Sequence, residues 1–118
     1  MKLLLSILVV LLSASFSSAA HKHKEKYYQK QWCNANNGFM EVVLADGSRV
    51  DCITKTHAVE FDFINKWAEA VGQALHYSIM TEKTAGIVLI GKNDELLGYV
   101  KDIAEVYNIK IDIWNIPE

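Results

Sequence analysis

The sequence predicts a mixed α/β domain in three layers, with helices on both faces of a mixed sheet, and three observations point to it. Asp46-Gly47 lies between two β-rich runs, Phe39 to Leu44 and Ser48 to Thr54, which is a hairpin signal. At Ile64 the apolar period changes from two to about 3.6, so a strand passes directly into a helix. Ile87-Val88-Leu89-Ile90 is an unbroken apolar run followed by a helical stretch and an alternating strand, the pattern of a right-handed parallel crossover.

In chain order, residues 1–20 read as a secretory signal peptide: Lys2, an apolar stretch from Leu3 to Leu12, then small residues ending in Ser18-Ala19-Ala20. The stretch is too short to cross a bilayer. Cleavage after Ala20 would leave residues 21–118 as one domain, secreted or periplasmic, with no membrane segment. The chain has 12 basic and 14 acidic residues, and Lys2 is the one charge in the leader. The mature domain is therefore acidic, with no general attraction for nucleic acid.

His21 to Lys30 reads as a loose basic tail that turns helical near Glu25, and Asn36-Asn37-Gly38 stops the helix. A free amine at His21 with His23 in third place could chelate copper(II) or nickel(II). A two-residue hairpin turn at Asp46-Gly47 would pair Val42 with Asp51 and Glu41 with Cys52, which places Glu41 and Asp51 on different faces. The third strand, Ala58 to Phe63, sets Glu60 and Asp62 on one face and Val59, Phe61 and Phe63 on the other. Trp67, Val71, Ala74 and Leu75 form the buried stripe of the following helix, which runs to Met80. A turn at Thr81 to Gly86 leads to the strand 87–90. Asn93 is the expected N-cap of the helix Asp94 to Tyr107, and 109–114 is the last strand.

The two cysteines, Cys33 and Cys52, predict a disulfide in an oxidising compartment, tying the first helix to the second strand and worth on the order of 3 kcal/mol.

The chemistry-bearing residues lie between Asp51 and Tyr77. Asp51 and Glu60 sit on adjacent strands, and two carboxylates in a cleft call for a hard cation, magnesium or manganese foremost. Lys66, Gln73 and Tyr77 follow at spacings of seven and four, one stripe of a helix. Taken singly, each has an ordinary surface or core-edge role.

Together they resemble the PD-(D/E)XK nuclease superfamily, and within it the RecB-like, QxxxY-type exonucleases. The resemblance covers Glu25 to Ile90 and rests on Asp51, on Glu60 within AVEFDF, and on Gln73-Ala-Leu-His-Tyr77. It implies an αβββαβ restriction-endonuclease-like core, to which this chain adds a C-terminal helix and strand. It implies a divalent ion held by Asp51, Glu60 and the Phe61 carbonyl, a cleft lined by Gln73 and Tyr77, and Glu25 as an outer acid. The family lysine stands two residues after the acid, where this chain has Asp62, so Lys66 would supply the displaced ammonium, with Lys55 as the alternative.

The expectation is a metal-dependent phosphodiesterase acting on nucleic acid. The alternative is a nuclease-like fold without catalysis, serving as a binding or structural module.

Overall fold

The computed structural model describes residues 20–118. Apart from Ala20, the expected signal peptide lies outside the described residues. The elements are α1 (Glu25–Ala35), β1 (Phe39–Val43), β2 (Arg49–Ile53), β3 (His57–Phe63), a 3₁₀ turn (Ile64–Lys66), α2 (Trp67–Thr81), β4 (Thr84–Ile90), α3 (Asp94–Val106) and β5 (Ile111–Ile116). The five strands form one sheet in chain order, with β1–β2 and β2–β3 antiparallel and β3–β4 and β4–β5 parallel. The mixed α/β architecture is as the periodicity predicts.

Alternation along the strands divides the core between two faces. Val59, Phe61, Val88 and Ile90 pack against Tyr28 and Cys33 of α1. Ala85, Ile87 and Leu89 pack against Ala70 and Ala74 of α2 and Val100 of α3. Every residue of β4 after Thr84 is buried, as an inner strand covered on both faces requires. The Asn93 side chain accepts from the Leu96 N–H at 3.1 Å and caps α3.

Cys33 and Cys52 are joined, with Cα atoms 5.9 Å apart, so α1 is riveted to β2. Gly38 passes directly over the bridge. A Cβ there would stand 2.5 Å from the Cys52 sulfur and 2.7 Å from the Cys33 sulfur.

The hairpin differs from the expected one. The Gly47 N–H donates to the Leu44 carbonyl at 2.9 Å and the Leu44 N–H to the Ser48 carbonyl at 2.8 Å, so the loop has three residues, Ala45-Asp46-Gly47, with Gly47 at φ +86°. Asp46 favours this form by accepting from the Ser48 N–H at 3.0 Å. The register moves by one: Val42 pairs with Val50 and Met40 with Cys52. Glu41 thus falls opposite Asp51, and the expectation that the two lie on different faces is overturned.

Strand limits shift for identifiable reasons. The Thr84 N–H donates to the Thr56 carbonyl at 3.0 Å, so β4 begins inside the expected turn. The Ile109 N–H is taken by the Ala104 carbonyl at 2.8 Å, closing the end of α3, so β5 starts only at Ile111. The N-terminal segment is tied down and not a loose tail. The His21 ring stacks on Phe63 with centroids 3.5 Å apart and bonds Glu118 at 2.9 Å, and His23 stacks on Tyr27 at 3.8 Å. No helix among the described residues is long and apolar enough to cross a membrane.

Candidate active site

The site begins where the sheet comes apart. β3 pairs with β4 along all seven residues, but β2 and β3 share only Cys52–Val59 and Ile53–Ala58. At the next position the ladder fails, and side chains take over its hydrogen bonds. The Phe61 N–H donates to Asp51 Oδ2 at 2.8 Å, and Gln29 Nε2 on α1 donates to the Asp51 carbonyl at 2.8 Å. The strands also turn over here. Cys52 packs towards α1 while Val50, two residues away, joins Ala58 and Tyr77 on the other side. Opposite Asp51, Glu41 has φ +51°, a strained value for a non-glycine residue.

Into this gap the structure brings Asp51 and Glu60, whose carboxyls lie in hydrogen-bond contact. Glu60 is 6% exposed, and its Oε2 is buried with no protein partner. Burial, then the neighbouring Asp51 charge, pushes the Glu60 carboxyl far above the usual carboxylate range. Burial also raises Asp51, against the lowering effect of the Phe61 N–H. Two carboxyls this close cannot both ionise in a desolvated gap, so in the absence of a cation they share a proton.

Glu25, at the start of α1, belongs to the same cluster: burial and the charges of Asp51 and Asp62 push it up to about 7. Asp62 is raised by burial and lowered by its own contact with the Phe63 N–H and by Lys66. Lys66 is exposed and closes the 3₁₀ turn, one residue before α2, so it does not share a regular helical stripe with Gln73 and Tyr77. Its charge reaches both Glu25 and Asp62. Lys55 lies beyond the opposite end of β3, in the link before His57, which removes it as an alternative cation.

Tyr77 is buried, and burial followed by the Glu60 and Asp51 charges raises its hydroxyl to about 12. It therefore keeps its proton. Gln73 is exposed one helical turn earlier. Sequence reasoning missed Gln29, which holds the strands apart. The available signal was its position four residues after Glu25, on the same face of α1.

The donor chemistry suits a hard divalent cation: carboxyl oxygens, one of them buried without a partner. Among the described residues no three His, Cys, Asp or Glu groups converge at metal-holding distance, so Asp51 and Glu60 form a pair and not a closed cage. A second polar cluster lies elsewhere. His57 Nε2 meets Asp112 Oδ2 at 2.5 Å and His57 Nδ1 meets Thr56 Oγ1 at 2.7 Å. The Thr56 and His57 N–H groups are both turned to Thr54 Oγ1, which leaves no donor pair for an oxyanion. This trio clamps β3 to β5.

No protein-family model and no solved structure matches the chain. It is 28% identical over 98 residues to a protein of Acanthamoeba polyphaga mimivirus named as containing a KilA-N domain. The match covers 80% of this chain and 39% of that protein, so the chain spans well under half of its relative's length.

Proposed function

We propose that the protein is an exported, metal-dependent phosphodiesterase of the PD-(D/E)XK type acting on nucleic acid. The observation that carries the reading is the Asp51–Glu60 carboxyl pair where β2 and β3 part, with Glu60 buried and its Oε2 lacking any partner. Leaving such a group unpaired costs about 1–3 kcal/mol, which a bound cation would offset. The name of the mimiviral relative adds no activity to this.

Asp51 and Glu60 would hold magnesium or manganese, which supplies charge stabilisation at the phosphoryl group and acidifies a water. Lys66 offsets negative charge developing on phosphorus, standing in for the family lysine that Asp62 replaces. Tyr77 keeps its hydroxyl proton and is a donor at the cleft wall, and Gln73 offers its amide to the nucleic-acid backbone at the mouth. Glu25, near neutrality, can take up or return a proton at its carboxyl.

Plasmid degradation with and without magnesium or manganese tests this directly. Asp51→Asn should abolish cleavage, and Lys66→Ala should lower it by roughly 10²-fold while leaving folding intact. Asp62→Ala should be tolerated better than Glu60→Ala. A wild-type protein that cleaves neither single- nor double-stranded DNA nor RNA defeats the reading. The protein would then be a nuclease-like binding or structural module, the account favoured by Asp62 and by the two-ligand site.

A further inference from the structure

A cavity of about 520 Å³ opens between α1 and the C-terminal segment, walled by Lys22, His23, Tyr27, Tyr28, Trp32 and Glu118. Its size is that of a small-ligand pocket. Tyr28 is 5% exposed, and its hydroxyl has no partner at hydrogen-bond geometry. The His23 backbone bears on this hydroxyl without reaching good geometry, so the group keeps hydrogen-bonding capacity that a polar edge can complete. Beside it, the Tyr27 ring is 43% exposed and already stacked against His23, and Gln31 adds an amide. These groups suit a flat heteroaromatic ring with donors and acceptors on its rim.

The charge around the cavity narrows the ligand class. The chain is acidic, with a net charge of −2, yet residues 21–30, HKHKEKYYQK, hold four lysines and two histidines against one glutamate. All four lysines are exposed. Cations interleaved with aromatic rings along one segment form the surface that single-stranded nucleic acid takes, with the backbone on the charges and the bases on the rings. The segment is also continuous with the acid cluster. Glu25 and Gln29 reach the cluster from the same helix that carries Tyr27, Tyr28, Gln31 and Trp32. Tyr28 meets Phe63 edge-on at 6.3 Å, and Phe63 follows Asp62.

We infer that this cavity binds one unpaired base of a single-stranded nucleic acid, stacked on Tyr27 and read at its edge by the Tyr28 hydroxyl and the Gln31 amide, with Lys22 on an adjoining phosphate. The choice of polymer rests on the phosphodiesterase reading, so the test measures binding and not cleavage. A fluorescent single-stranded oligothymidylate is titrated in chelator and followed by anisotropy. Tyr27→Ala should weaken binding roughly 5- to 150-fold, the range for losing one base–aromatic stack. Tyr28→Phe should weaken it several-fold, and Lys22→Ala should lower the salt-dependence slope by about 0.7. A duplex of the same length should bind less tightly than the single strand.

Wild-type affinity in both Tyr27→Ala and Tyr28→Phe overturns the inference, as does equal affinity for duplex and single strand. Tight, Tyr27-dependent binding of free thymidine without binding of the oligonucleotide overturns the polymer assignment. Tyr27-dependent binding in a protein that never cleaves defeats the phosphodiesterase reading and leaves the base site standing.

Discussion

The parallel half of the sheet, β3–β4–β5, and the antiparallel half, β1–β2–β3, are built on opposite principles. In the first, β3 and β4 keep register through seven residues and the buried side chains of β4 are apolar, Ala85 and then Ile87 to Ile90. In the second, the β2–β3 ladder stops after two pairs and the gap fills with carboxyls. Asp51 and Glu60 stay close because their strands remain joined at one end by the pairs Cys52–Val59 and Ile53–Ala58. The gap persists because Gln29 satisfies the Asp51 carbonyl and the Asp51 carboxyl takes the Phe61 N–H, the backbone groups that the ladder abandons. The regular half supplies the stability that the irregular half gives up.

That division predicts a graded set of outcomes. The largest falls on the parallel half: Leu89→Ala should cost about 2–5 kcal/mol in denaturant unfolding, because Leu89 is fully buried between α2 and α3. A cost below that of Val43→Ala, on the exposed edge strand, would break the comparison. Next comes the rivet between α1 and the splayed half. Reducing Cys33–Cys52 should cost about 3 kcal/mol, and Gly38→Ala should destabilise the oxidised protein by crowding both sulfurs. Thiol titration of the unfolded oxidised protein should find no free thiol.

A third outcome concerns pH. Glu25 is raised from 4.5 to about 7 in the folded protein, so between those values the native state holds more protons than the unfolded chain. The stability is fully present below the unfolded value and falls as pH rises through the folded one. In chelator, Tm should therefore fall from about pH 5 to about pH 8, and Glu25→Gln should flatten the lower part of that slope. Magnesium should raise Tm most at the alkaline end, where the cluster is most charged, and Asp51→Asn should remove that rise. A Tm independent of pH across this window would remove the acid cluster as a source of strain. The smallest effect belongs to His76, which meets Asp46 at 2.7 Å on the surface. His76→Ala should shift Tm least of the set, as the loss of an exposed surface contact does.

Local rules were enough to read the elements. Asn93 as a cap, Asn37-Gly38 as a stop, the change of period at Ile64 and the apolar run 87–90 each depend on a few neighbouring residues, and the structure agrees with them. The cysteine count was likewise sufficient for Cys33–Cys52, because two cysteines leave one pairing. The hairpin register was not legible, since Asp-Gly serves two-residue and three-residue loops alike, and the choice was made by the Asp46–Ser48 hydrogen bonds. That one-residue shift moved Glu41 opposite Asp51.

By itself the sequence determined the element order, the sheet class, the disulfide and the proximity of Asp51 to Glu60, all consequences of short-range periodicity and strand adjacency. Only the tertiary structure decided that Glu25 joins the cluster, that Gln29 holds the strands apart, that Lys66 ends a 3₁₀ turn and that the N-terminal segment packs under Phe63 and Glu118. Each of these joins residues distant in the chain across a sheet whose splay no local pattern encodes. The ionisation of a carboxyl depends on the charges and solvent that the whole fold places around it.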